Sequence, residues 1–152
     1  MIKNLKKWLE EGTLKEYKST KEEIAQLFRI VHRDLADAEI DGLSEDRRFA
    51  TAYNAGLQLA TILLRIIGLR TNSHRAGHHR ISIDALPEIL GENFQEISDY
   101  LNSCRIKRNI CDYTNSGETT KAEADELIEE IKKLKREIHN WIRREHAHFS
   151  ND

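Results

Sequence analysis

The stretch TKAEADELIEEIKKLKREIHNW, residues 120–141, decides the fold. Its apolar residues Leu127, Ile131, Leu134, Ile138 and Trp141 step by four and three, a spacing that puts them on one side of an α-helix. Acidic and basic residues flank this seam, the pattern of a helix lying against others in a bundle or a coiled coil. Thr120 followed by Glu123 forms a capping box, which fixes where the helix starts.

The same period recurs upstream. Ser44, Glu45 and Asp46 suit the start of a helix whose stripe is Phe49, Tyr53, Leu57, Ala60, Leu64 and Ile67, closing at Gly68. From Leu57 to Ile67 this helix is apolar on most sides, so it is the expected centre of the bundle. Asn54 and Gln58 lie within it and need hydrogen-bond partners if buried. Ser19 and Thr20, each three residues before a glutamate (Glu22, Glu23), open a helix carrying Ile24, Phe28, Val31, Leu35 and Ala38 and ending near Asp41-Gly42. Residues 3–18 read as a weaker helix broken near Gly12, and 70–80 as a polar loop. Ser82–Leu90 predicts a short helix holding Pro87 or bending at it. A longer helix from Glu92 carries Phe94, Ile97, Leu101, Cys104 and Cys111. The expected fold is all-α, an up-down bundle of four to five main helices in a single domain over 1–152, with 1–18 as a peripheral helix.

Composition agrees. One proline, seven glycines, 39% hydrophobic and 33% charged residues describe a globular helical chain rather than a disordered one. The longest apolar run, Leu57–Ile67, contains Gln58, Thr61 and Arg65 and is too short to span a bilayer. The start, MIKNLKKWLEEG, has neither a hydrophobic core nor a cleavage site and does not read as a secretory signal, so a cytoplasmic, non-membrane protein is expected. Cys104 and Cys111 lie seven residues apart on one helix, roughly 10.5 Å along its axis, too far for a disulfide. They read as small buried thiols of a reducing compartment. A net charge of −2 gives no global attraction to nucleic acid, so any RNA contact must use a local basic patch.

The anomaly is Arg108. Continuing Phe94, Ile97, Leu101 and Cys104 by four and three leads to positions 108 and 111, so arginine occupies a place in the apolar seam. A lone buried guanidinium is very costly, and Arg108 must be paired, face a wet cleft, or meet a partner subunit. Asp112, one turn on, is its natural partner, and Arg105 lies nearby on the helix. Arg105 to Tyr113 is a basic run ending in an aromatic, able to bind phosphate and stack a base. His74, His78 and His79 share the polar loop, where His78 and His79 suit a substrate contact; His146 and His148 lie near the C-terminus. None of them has metal-ligand spacing, so neither metal nor cofactor is expected. No phosphate-binding glycine loop or serine elbow is present in the sequence.

SEDRRFATAYNA (44–55), the Gly-His-His at 77–79, RNICDY (108–113) and the Thr-capped, Glu-rich last helix together resemble HEPN-domain proteins over roughly residues 20–145. The resemblance implies a four- or five-helix bundle that dimerises and places an arginine-to-histidine motif at a shared cleft for metal-independent RNA cleavage. It also implies a toxin, often paired with a nucleotidyltransferase-type antitoxin. On that pattern Arg108 matches the arginine, Asn109 the polar residue after it, and Tyr113 stands where the histidine is expected, the next histidine being His139. A phenol, with its ordinary pKa near ~10, is a poor base for a 2′-hydroxyl. The expectation is therefore an RNA- or nucleotide-binding homodimer with weak or lost ribonuclease activity. An active metal-independent endoribonuclease and a helical interaction or scaffold module stand as the alternatives.

Overall fold

The structure is a computed structural model and describes residues 2–74, 77–113 and 117–150, with the side chains of residues 2, 3 and 111–113 outside the description. Six α-helices are described: α1 (Ile2–Glu10), α2 (Lys21–Asp37), α3 (Glu45–Ile66), α4 (His78–Leu90), α5 (Gln95–Tyr113) and α6 (Lys121–Glu145). Two short strands, β1 (Leu14–Glu16) and β2 (Leu69–Thr71), and two single 3₁₀ turns complete the described elements. The all-α bundle is the observed architecture.

The caps read from sequence form. Thr20 and Thr120 each accept from the backbone N–H of a glutamate three residues on (Glu23, Glu123), whose side chain bonds back to the cap N–H. Ser44 accepts from Arg47 N at 3.2 Å and starts α3. Each cap supplies a partner to helix-end N–H groups that would otherwise have none.

Helix α3 is the axis. Leu57, Leu59, Ile62, Leu63 and Leu64 point to different sides of it and all are buried. Helices α2, α4, α5 and α6 pack round it, and the seam Leu127, Ile131, Leu134, Ile138 and Trp141 closes one side. The seam is thus buried within the chain. Gly56 allows close packing there: a Cβ in its place would lie 2.6 Å from Ile131 Cδ1. Asn54 finds its partner in the buried carboxylate of Asp34, at 2.5 Å. Arg48 ties three elements together, donating to the Ala38 carbonyl at 2.9 Å and to Glu45 and Asp125, each at 2.6 Å.

Two local expectations are corrected. Leu14–Glu16 is a strand, not the second half of a broken helix, pairing antiparallel with Leu69–Thr71 in the register Leu14↔Thr71. Leu14 is buried beneath it with Leu64 and Ala85, and Leu5, Trp8 and Leu9 of α1 cover that small second core. The polar loop ends earlier than expected, because α4 starts at His78 rather than Ser82.

Pro87 sits inside α4 and has no N–H to give to the carbonyl of Ile83, four residues back. The fully buried Ser98 hydroxyl of α5 donates to that carbonyl instead, at 2.9 Å. Proline's missing hydrogen bond therefore becomes the joint between α4 and α5. Ser98→Ala leaves the acceptor bare and is expected to cost about 1–3 kcal/mol in denaturant unfolding. In a Pro87→Ala background the new N–H can serve Ile83, so the same substitution should cost clearly less.

Candidate functional site

Arg108 lies over a hollow of about 160 Å³ where α3, α4 and α5 meet. The Ser98 joint and a second polar chain set the two walls. Asn102 Nδ2 on α5 donates to Asp84 Oδ1 on α4 at 2.7 Å, Arg80 Nε stands 3.6 Å from Asp84 Oδ2, and Arg105 Nε donates to Asn102 Oδ1 at 3.5 Å. These contacts tie Arg80 of α4 and Arg105 of α5 to one Asp84–Asn102 link. Gly77, at φ +79°, turns the chain into α4 through the left-handed region that favours glycine. No side chain caps this helix and its first turn holds no acidic residue, so the positive end of α4 faces the hollow.

The floor is Tyr53. It is 2% exposed, and its hydroxyl is sealed from solvent without a hydrogen-bond partner among the described residues. The Arg108 guanidinium carbon stands 5.8 Å from the centre of the Tyr53 ring, within cation–π reach. Burial pushes the Tyr53 phenol up to about 12 against the pull of Arg105 and Arg108, so at neutral pH it is an O–H donor. His78 and His79 occupy the first turn of α4 with ring centres 4.2 Å apart, edge to face. Burial, then the charges of His78, Arg108 and Arg105, hold His79 below the ordinary histidine range, so its imidazole is neutral at pH 7.

Of the residues singled out from sequence, Arg105, Arg108, Asn109, His78 and His79 come together on this hollow. The side chains of Asp112 and Tyr113 lie outside the described residues, so the expected Arg108–Asp112 pair and the Tyr113 position fall there too. Helix α5 runs to Tyr113, and positions 108 and 113 are therefore about 140° apart round it. His139 stacks on Phe28 at 4.4 Å between α6 and α2 and does not line the hollow. Cys104 is buried, and burial raises its thiol to about 12, which makes it inert at neutral pH.

Sequence reasoning missed Tyr53 and Arg80. Tyr53 reads as one more member of an apolar stripe, and only its hydroxyl hinted at a further role. Among the described residues no carboxylate lines the hollow, whereas three arginines, two histidines, a tyrosine and the first turn of α4 do. Such a donor set fits an anion with several acceptor oxygens, and the volume suits a phosphate group rather than a whole nucleotide.

Among the described residues, no group of three or more His, Cys, Asp or Glu side chains is placed to hold a metal ion, and no helix is long and apolar enough to cross a membrane. Comparison with protein-family models, with curated proteins and with solved structures finds no match to this chain.

The Tyr53 hydroxyl offers a clean test. A buried hydroxyl without a partner contributes nothing to stability, so Tyr53→Phe is expected to leave the melting temperature unchanged or raise it. The same variant should weaken phosphate binding, followed by isothermal titration. Clear destabilisation would mean that the hydroxyl is structural.

Proposed function

We propose that this chain is an RNA- or nucleotide-binding protein that grips a phosphate in the Arg105–Arg108 hollow. One observation carries the reading: Arg105, Arg108, the buried Tyr53 and the uncapped start of α4 converge on one space that, among the described residues, no carboxylate lines. The hollow accepts the phosphate while the nucleoside lies outside it, against the exposed side of α5 where Asn109 sits. The resemblance of the 44–55, 77–79 and 108–113 segments to HEPN-domain proteins points the same way, and with it a toxin–antitoxin or defence role beside a nucleotidyltransferase-like antitoxin in the cytoplasm. Ile106 and Ile110, 54% and 42% exposed and one turn apart on α5, support a homodimer contact close to the arginines.

A second reading, metal-independent RNA cleavage, is favoured by His79. The family pattern leaves a tyrosine at 113, but a neutral imidazole already lies beside Arg108 on another helix. His79 could take the 2′-hydroxyl proton as the 2′-oxygen attacks phosphorus. Arg105 and Arg108 would hold the charge gathering on the phosphoryl oxygens, and His78 is the adjacent group able to return a proton to the departing 5′-oxygen.

Arg108→Ala should weaken binding of a single-stranded oligoribonucleotide by about tenfold or more in filter binding, which corresponds to losing one charge-assisted contact. Its circular dichroism spectrum should stay unchanged. Unaltered affinity in a folded variant would end the binding reading. For the second reading, the folded wild type is incubated with RNA in EDTA. Cleavage abolished by His79→Gln and retained in Tyr113→Phe supports His79 as the base; the reverse pattern moves that role to Tyr113.

A further inference from the structure

A second cationic hollow lies elsewhere on the molecule, between the start of α2, the end of α3 and the 3₁₀ turn Ala147–Phe149 that follows α6. At about 560 Å³ it is more than three times the size of the Arg108 hollow and falls within the range that takes a whole small molecule. Lys18, Lys21 and Arg65 line one part of it; His146, His148 and Phe149 line another. Among the described residues no carboxylate lines it, in a chain whose overall charge is −2.

The cationic part is built rather than merely exposed. The Arg65 guanidinium is stacked on the Tyr17 ring, its carbon 4.5 Å from the ring centre, so its position is set by packing. Its nearest acid, Glu23, is engaged elsewhere: it accepts from the Tyr17 hydroxyl at 2.5 Å and from the Thr20 backbone N–H in the α2 cap, and it reaches Arg65 Nη1 only at 3.6 Å. Arg65 Nε is buried without a hydrogen-bond partner among the described residues. Ser19, 8% exposed, also lines the hollow, and its hydroxyl is likewise buried and unpartnered among those residues. Two sealed polar groups without a partner among the described residues, beside the packed Arg65 and the exposed Lys18 and Lys21, suit an acceptor-rich ligand.

The remaining wall has a different chemistry. Phe149 and His148 lie with ring centres 4.2 Å apart and planes tilted by 42°, and His146 packs on Trp141 at 4.5 Å, so a cluster of aromatic rings borders the hollow. Ile66 and Ile67 add apolar surface. Cations and hydroxyl at one end with rings at the other match a phosphate joined to an aromatic ring system. We propose that this hollow binds a free mononucleotide, its phosphate held by Lys18, Lys21, Arg65 and Ser19 and its base packed against the Phe149 ring.

Gly68 lines this hollow and Gly77 lines the Arg108 hollow, so their backbone amides report on the two places separately. AMP, adenosine and inorganic phosphate are each titrated into the whole chain while both amides are followed by NMR. AMP is expected to shift the Gly68 amide at a concentration about tenfold or more below that needed for adenosine or phosphate, because both ends of the ligand contribute. Lys18→Glu combined with Lys21→Glu changes exposed side chains only, and should raise the AMP requirement about tenfold or more with the melting temperature retained. Phe149→Ala should weaken AMP and leave phosphate unaltered. A Gly68 titration insensitive to the lysine reversals overturns the site. Equal potency of phosphate and AMP overturns the aromatic half. An AMP response at Gly77 alone does the same for the whole proposal without touching the RNA-binding reading.

Discussion

Helix α3 is apolar on most sides, with Arg47, Thr51, Asn54, Gln58, Thr61 and Arg65 as a polar stripe along the remaining one, and the rest of the molecule follows from the need to keep its apolar faces from water. A helix with one apolar stripe can rest on a single neighbour; one carrying buried Leu57, Leu59, Ile62, Leu63 and Leu64 on diverging faces needs neighbours on several sides. Fully burying one such side chain is worth about 1.5–3 kcal/mol, so leaving any face open would be costly. Helices α2, α4, α5 and α6 meet that requirement, and Arg48 ties the end of α2 and the start of α6 to α3 by donating to Ala38, Glu45 and Asp125. At the level of Tyr53 the sheath is made by the start of α4 and the later part of α5. Those two ends bring histidines and arginines with them. The candidate site is the place where the sheath round α3 is completed by charged residues instead of apolar ones.

That origin explains the chemistry of the site. Tyr53 belongs to the core and also lines the hollow, with its buried hydroxyl left without a partner among the described residues. Arg108 sits in a seam position and is tolerated there because its guanidinium rests over the Tyr53 ring and opens on the hollow. Polar joints keep the walls from sliding: Ser98 to the carbonyl that Pro87 cannot serve, and Asn102 to Asp84. Each is short, partly or fully buried, and spans the α4–α5 contact. The positive field is local, which is how a chain of net charge −2 can still present an anion site.

Much of this was legible in the sequence. The two capping boxes, the Ser44 cap, the central helix and the last seam all depend on residues within one or two turns of each other, and periodicity records such contacts directly. The strand at Leu14–Glu16 was not legible, because it exists only by pairing with Leu69–Thr71 across more than fifty intervening residues. His78 and His79 were visible as unusual residues but were assigned to a loop, since Gly77 is a weak start signal without a capping side chain. Arg108 stood out because charge broke a period. Tyr53 did not, because an aromatic in a helical stripe fits the period whether or not its hydroxyl has work to do. Histidine was expected along α5 itself, whereas the imidazole beside Arg108 arrives from α4, a convergence no linear spacing encodes.

The most direct test of the Arg105–Arg108 hollow as an anion site is the titration of the His79 imidazole by NMR, assigned through loss of its signal in His79→Gln, with and without inorganic phosphate. In the free protein, burial and the neighbouring arginines should make His79 titrate below the ordinary value of 6.5. A phosphate held beside it favours the charged ring, so its midpoint should climb when phosphate is added, and by linkage phosphate should bind more tightly as pH falls. A His79 that titrates at or above 6.5 in the free protein, with a midpoint phosphate does not move, would contradict the account.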